Sequence, residues 1–226
     1  LDLTMSLSSK TIAIVGGGSV GSTLANSIVQ SESKANVVVA ARDPSKTTAA
    51  LAEKKLGHLK VEPMAEAIRA ADFIILSVPG AHEDEGIEKL AKSLGDVSGK
   101  SIIDATNPLS EFGDGLEIRW KQGTSGGEIL QKYLPEAKVY KAFNTVGVEL
   151  MDRPRSVGTD MLFCGPDDGI EGVVAAVGFT PRYMGPIRYA RNLEAIAELW
   201  IHCAIPPLPA RQLGRDWSLD IAGNPE

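Results

Sequence analysis

At 226 residues the chain is long enough to bury one sizeable core, and 43% hydrophobic with 23% charged residues is the balance of a water-facing globular protein. A net charge of −6 disfavours nucleic acid and anionic membrane surfaces as partners, and no apolar run approaches the ~20 residues that a spanning helix needs. Cys164 and Cys203 stand far apart and read as two thiols of a reducing, cytoplasmic compartment, and three histidines without paired spacing offer no metal site.

Residues 1–10 lack the apolar segment of a secretory signal and read as an N-terminal segment. Ile12 to Val15 is a short β-branched run that predicts a buried strand, followed by a glycine turn and a helix to Val29. The turn carries Gly16-x-Gly18-x-x-Gly21. In that spacing the first glycine permits the turn, the second lets backbone approach a pyrophosphate, and the third lets the helix pack on the strand. The helix start then offers free N–H groups to phosphate. A second strand is predicted over residues 36–41, a helix from Asp43 to about Leu56, and a short third strand over residues 59–61. A helix opening at Glu62-Pro63 buries Met64, Ala67, Ile68 and Ala71, and residues 72–78 form an almost continuous apolar strand. Residues 82–94 are helical, with Ile87, Leu90, Ala91 and Leu94 on one face, and residues 101–105 form a fifth strand.

The irregular stretch from Asn107 to Gly123 is long enough to be a functional loop. After it come a helix capped by Thr124, a sixth strand over residues 137–143, a loop over residues 146–158, a seventh strand over 159–164, a helix over 167–177 and an eighth strand over 180–184. The last helix, residues 190–204, carries the apolar stripe Leu193, Ile196, Ala197 and Trp200, which serves either the core or a homodimer. The Pro-rich tail, residues 205–226, is weakly structured or docks on a neighbour. Strand–helix alternation predicts an α/β protein with one doubly wound parallel sheet, a Rossmann-type domain over residues 11–204. Ligands of such sheets bind outside the carboxyl ends of the strands.

The residues at those ends choose the ligand. After strand two, an NAD-preferring protein carries an acid for the ribose 2′-OH. Here Ala40-Ala41-Arg42-Asp43 lacks one, and Lys46 follows a helical turn later. Two cations there suit a 2′-phosphate, which a guanidinium grips bidentately. The alternative is a solvated pair neutralised by Asp43. After strand four, Ser77-Val78-Pro79-Gly80-Ala81-His82 brings backbone under a cofactor and a histidine to a helix start. Asn107, before Pro108, and Asn144 stand at the ends of strands five and six; each amide either fixes a nicotinamide carboxamide or closes its own turn. No Tyr-x-x-x-Lys pair occurs, and hydride transfer between two planar rings needs little acid–base help.

Taken together, Gly-Gly-Gly-Ser-Val-Gly-Ser, Ala-Ala-Arg-Asp-Pro-Ser-Lys, Ser-Val-Pro-Gly-Ala-His, Ala-Thr-Asn-Pro-Leu, Lys-Ala-Phe-Asn-Thr and Gly-Pro-Ile-Arg-Tyr-Ala-Arg-Asn-Leu-Glu resemble the NADPH-dependent F420 reductases and the NADPH-binding domain of the STEAP metalloreductases, over roughly residues 11–204. The resemblance implies NADP(H) as cofactor. It places Ser19 and Val20 at the phosphates, Ala41, Arg42 and Lys46 at the 2′-phosphate, Ser77, Val78 and Pro79 along the nicotinamide ribose, and Ala142 beside the ring that gives up hydride. It turns His82 and Asn144 towards a small-molecule redox acceptor: coenzyme F420, a flavin, a quinone or a ferric species. Two positions depart from the family. Ala41 replaces a Ser or Thr before the arginine, and Gly80-Ala81 replaces a Trp-Glu pair in the wall facing the acceptor. Two further readings are an NADP(H) sensor without turnover and an imine or ketone reductase completed by dimerisation.

Overall fold

The computed structural model describes residues 7–109, 123–152, 158–204 and 213–221. The chain runs β1 (Thr11–Val15), α1 (Ser19–Val29), β2 (Asn36–Ala41), α2 (Pro44–Glu53), β3 (Val61–Pro63), α3 (Met64–Ala70), β4 (Phe73–Leu76), α4 (Asp84–Ser93) and β5 (Ser101–Asp104). It continues through α5 (Gly126–Tyr133), β6 (Lys138–Lys141), α6 (Val148–Asp152), β7 (Asp160–Phe163), α7 (Glu171–Val177), β8 (Thr180–Tyr183), a 3-10 turn (Ile187–Tyr189) and α8 (Ala190–Ala204).

Six strands form one parallel sheet in the order β3-β2-β1-β4-β5-β6. The chain winds outward from β1 to β3, returns to lay β4 beside β1, and winds out the other way to β6. The reversal between β1 and β4 opens the crevice in which such sheets bind ligands. Period-two alternation explains why the strands read as continuous apolar runs. Ile12, Ile14, Val37, Val39, Ile75 and Ile103 face one core with α1, α6 and α7, whereas Ala13, Val15, Val38, Ile74, Leu76 and Ile102 face a second core with α3, α4 and α5. Leu7, ahead of β1, is buried in the first core.

The fold class is the one that the alternation predicts, with one refinement. Strands β7 and β8 pair with each other, from Asp160↔Thr180 to Phe163↔Tyr183, and among the described residues join the large sheet through an antiparallel bridge between Lys141 and Cys164. Pairing cannot extend because Phe143, just past β6, has φ +64°, and its N–H points to Met161 Sδ at 3.3 Å. Three local expectations also shift. Residues 146–158 contain the short helix α6 where a loop is predicted; it is held on α1 by buried Leu150 and Met151 and by Ser27 Oγ donating to Met151 O at 3.0 Å, so packing supplies what so short a helix lacks by itself. Strand β3 begins at Val61, two residues late, with Leu59 turned into the core. The cap of α5 is Ser125, whose hydroxyl accepts from Glu128 N–H, and not Thr124.

The apolar stripe of the last helix packs within its own chain. Leu193, Ala197 and Trp200 are buried within their own chain. Trp217 stacks on Trp200 with ring centres 6.1 Å apart, Trp200 Nε1 donates to Trp217 O at 2.8 Å, and Arg215 donates to Glu149 at 2.6 Å. Asp160 N–H donates to Asp220, and Ile221 N–H donates back to Asp160. Residues 213–221 therefore dock on α8, α6 and β7 of their own chain, and the apolar stripe is spent there. Most of the predicted functional loop, residues 110–122, lies outside the described residues, as do residues 205–212 of the tail. Among the described residues, no helix is long and apolar enough to cross a membrane.

Candidate functional site

The three glycines of the turn do three separate jobs. Gly16 has φ +114°, and a Cβ there would lie 2.7 Å from Ser77 O; a Cβ on Gly21 would lie 1.9 Å from Gly16 O. Both positions therefore exclude a side chain so that β1, β4 and α1 can close on one another. A Cβ on Gly18 would meet nothing within 4 Å, so this glycine borders open space. Gly18 is also the N-cap of α1, with no side chain bonded to the helix start and no acid in its first turn. The N–H groups of Ser19 and Val20 are left for an outside anion, which the helix dipole favours. Ser77 is drawn beneath the turn, its hydroxyl 3.1 Å from both Val15 O and Gly16 O. It serves the site by fixing the turn and does not point outward.

Beside the turn lies a cavity of about 730 Å³ at the ends of β1 and β2, with Gly16, Gly17, Ala41, Arg42, Lys46, Met64, Val78 and Lys89 in its lining. The structure thus gathers five of the predicted residues: Gly16, Ala41, Arg42, Lys46 and Val78. Asp43 also lines the cavity but forms no ion pair with Arg42 or Lys46 among the described residues. Its carboxylate accepts from Lys46 N–H at 3.0 Å as the cap of α2. Among the described residues, Arg42, Lys46 and Lys89 form no ion pair. Lys89 is absent from the sequence reading. Its signal was the spacing Gly86, Lys89, Leu90, Ser93, a single face of α4 that lines the cavity.

At the other end the sequence expectations change more. Pro79 and Gly80 leave β4, and a Cβ on Gly80 would lie 1.8 Å from Asn107 O, so the loop closes on the end of β5 where the family pattern carries a bulky residue. His82 is exposed ahead of α4. Asn144 is 5% exposed and does not face an open pocket. Its Nδ2 donates to Asn107 Oδ1 at 3.2 Å and to Leu193 O at 3.1 Å, while Asn107 Nδ2 donates to Asn144 O at 3.2 Å. The two predicted amides meet as a reciprocal pair, with half-buried Asn107 in front and Asn144 behind; Pro108 is buried next to them. Ala142 is fully buried, its methyl in the core. Phe143 holds a left-handed backbone that costs a non-glycine residue about 1–3 kcal/mol, and burial against Phe179 and the bond to Met161 over-determine it.

Under this strand end sits a cluster that the sequence reading assigned no role. Lys141 has no exposed surface, and its Nζ donates to Asp104 Oδ2 at 2.9 Å and to Thr106 O at 2.6 Å, with Glu194 Oε1 at 3.1 Å. Asp104 accepts from Thr106 N–H and Oγ1 at 2.9 and 2.7 Å. Glu194 accepts from Gly126 and Gly127 N–H, both at 3.1 Å, at the start of α5. Burial pulls the Lys141 pKa down, but the two carboxylates outweigh it and hold the ammonium above its ordinary value. The clue was a lysine inside the apolar run Val139 to Phe143, a strand-end aspartate, and a glutamate on the apolar stripe of α8.

Residues 11–108 match the family described as NADP oxidoreductase, coenzyme F420-dependent. This stretch of the chain is similar to that family. The matched residues hold the glycine turn, Arg42, Lys46, Lys89, Asp104 and Asn107, and stop short of Lys141 and Glu194. The chain is 28% identical to the metalloreductase STEAP3 of Rattus norvegicus over 190 residues, 82% of this chain but only 36% of that longer protein. It superposes with a TM-score of 0.70 and 27% identity on a protein of Arthrobacter sp. FB24 assigned as an F420-dependent NADP-reductase, covering 85% of this chain and 92% of that one. A hypothetical protein of Sinorhizobium meliloti shares the fold with a TM-score of 0.67 and 22% identity, over 98% of this chain and 100% of the other. The family resemblance carried by the sequence motifs is thereby borne out, and the family is one of NADP-dependent oxidoreductases.

Proposed function

We propose that the chain binds NADP(H) across the carboxyl ends of its strands and catalyses hydride exchange with a flat redox acceptor: coenzyme F420, a flavin or a quinone. The observation that carries this reading is the cavity lined by Arg42, Lys46 and Lys89, none of them in an ion pair among the described residues, with β2 ending on Ala41 and the one acid of the lining, Asp43, capping α2. An exposed cation cluster without internal partners suits a dianionic 2′-phosphate, and it leaves an NAD ribose without its usual acceptor. Gly16, Gly18 and Gly21 with the Ser19 and Val20 amides take the pyrophosphate. Val78 and Pro79 border the nicotinamide ribose. Asn107, steadied from behind by Asn144 and flanked by Pro108, meets the carboxamide, and the strand end at Ala142 sets the floor beneath the ring.

NADP(H), when bound, supplies the hydride chemistry at C4 of its nicotinamide. The chain's part is to hold that carbon at near-attack distance from the acceptor and to keep water out. His82, exposed ahead of α4, is the side chain we assign to meet the acceptor. A ferric chelate takes single electrons, so its reduction would pass through a two-electron ring.

A sensor that holds NADP(H) without turnover is favoured by one observation, the complete burial of Ala142. Titration with NADPH and NADH, followed by NADPH oxidation against F420, FMN, menadione and ferric citrate, separates the readings. NADPH preference with turnover of a ring acceptor supports the enzyme. NADPH preference with no turnover of any acceptor supports the sensor. Equal affinity for both nucleotides sinks the cofactor assignment.

A further inference from the structure

The cluster Asp104–Lys141–Glu194 does more than fill the junction between sheet and α8. We infer that Lys141 is a positioning residue for the nicotinamide half of the cofactor, acting through Thr106 and Asn107. The inference rests on the NADP(H) reading above.

Three observations carry it. First, the ammonium is fully committed, with its donors directed at Asp104, Thr106 O and Glu194, and it has no exposed surface. It cannot touch a ligand, so any influence on one must pass through what it holds. Second, what it holds is the turn that carries Asn107. Lys141 fixes Thr106 by its carbonyl, while Asp104 fixes the same residue by its N–H and its hydroxyl. One residue gripped at three polar groups leaves little freedom to the next, whose amide is the half-buried member of the Asn107–Asn144 pair. Third, the far carboxylate anchors the same assembly to α8. Glu194 binds the first amides of α5, and its neighbour Leu193 accepts from Asn144 Nδ2. The ends of β5 and β6, the start of α5 and the middle of α8 thus converge on one buried ammonium.

The charge balance explains why this arrangement is rigid. Two carboxylates face one ammonium, and the excess negative charge lies on Glu194, where the N-terminal amides of α5 compensate it. The charged members Lys141, Asp104 and Glu194 all have partners, and such a core specifies one geometry, whereas one with a member missing does not.

The test compares two ligands that differ in the half they lack. The probe 2′,5′-ADP contains the adenosine, the 2′-phosphate and a single 5′-phosphate but lacks the second phosphate, the second ribose and the nicotinamide; NADPH contains both halves. Both are titrated against the wild type, Lys141→Met and Glu194→Gln. Glu194→Gln keeps the volume and retains the Lys141–Asp104 pair, so it reports even if Lys141→Met does not fold. The expected result is a 2′,5′-ADP affinity within about twofold of wild type, while the advantage of NADPH over 2′,5′-ADP falls by about fivefold or more. Bound NADPH should also show a shifted nicotinamide fluorescence in both variants. If the two ligands weaken together, or neither changes while only stability falls, the cluster is structural and the inference is overturned. If the wild type binds neither ligand, the nucleotide reading itself fails, and this arm shows it separately.

Discussion

Two charged clusters flank the nucleotide crevice, and they are built on opposite terms. Around the cavity at the end of β2, Arg42, Lys46 and Lys89 are exposed and have no internal partner among the described residues. Under the ends of β5 and β6, Lys141 is buried and its ammonium is fully partnered. Water solvates the first set at no cost to the fold, so the fold gains nothing from these charges, and a ligand does. The second set has given up its water, so it must be complete for the fold to tolerate it. Under the proposed function, unpaired charge would grip a ligand, while paired buried charge holds backbone still.

The largest effect should come from breaking the paired cluster. Lys141→Met leaves two buried carboxylates without their cation and should cost about 3–5 kcal/mol of stability, read as a lower denaturation midpoint in urea. Restoring neutrality with Lys141→Met/Asp104→Asn/Glu194→Gln should recover part of that loss. Alkali attacks the same cluster more gently. The Lys141 pKa is raised in the folded chain, so its contribution is full below the ordinary value of 10.5 and is lost as pH rises through the folded value. Tyr140, whose burial and bond to Asp167 also hold its phenol up, loses stability in the same direction. Cys164, whose thiol is pushed up to about 12 by burial, and Tyr183 shift the same way, so unfolding followed from neutral pH to above 10.5 is compared between Lys141→Met and Lys141 in a common Tyr140→Phe/Tyr183→Phe/Cys164→Ala background. Stability that stays flat across that range would mean that the ammonium is not the linchpin.

The unpaired cluster should respond in ligand affinity and not in stability. Arg42→Glu replaces a charge-assisted bond to the 2′-phosphate by repulsion and should weaken NADPH by about 2–3 kcal/mol, with NADH nearly unaffected. Titration of both nucleotides checks it. Equal losses would move Arg42 away from the 2′-phosphate.

The same contrast explains what could be read from the sequence. The glycine turn, the strand–helix alternation of a doubly wound sheet and the Arg42–Lys46 spacing were legible because each depends on neighbours close in the chain: a turn, a period, one helical turn. Local signals also placed Asn107 and Asn144 at strand ends. They could not show that the two amides bond each other, because the residues are 37 positions apart in the chain and Phe143 must take a left-handed backbone to bring Asn144 round. Lys141 and Glu194 were visible as polar residues in apolar runs, but what pairs a lysine with carboxylates 37 and 53 positions away is the packing of α8 on α5. The stripe on α8 was read correctly as apolar and incompletely as to its partner, because Trp217 reaches it from the tail.

The smallest effect is the most discriminating. Lys89 lies on α4, across the cavity from Arg42 and Lys46, and is exposed. Exposed ionic contacts are worth about 0.2–1 kcal/mol and are screened by salt. Lys89→Gln should therefore weaken NADPH by about fivefold at most at low ionic strength, leave NADH unchanged, and lose most of its effect in high salt. Arg42→Glu should retain a larger share of its effect there, since geometry as well as charge is lost. Fluorescence titration of both nucleotides at two salt concentrations measures this. A Lys89→Gln defect that persists in high salt, or that falls equally on NADH, would mean that Lys89 packs against the adenine and not the phosphate. The third cation would then belong to the cavity wall, and the charge contrast between the two ends of the crevice would rest on Arg42 and Lys46 alone.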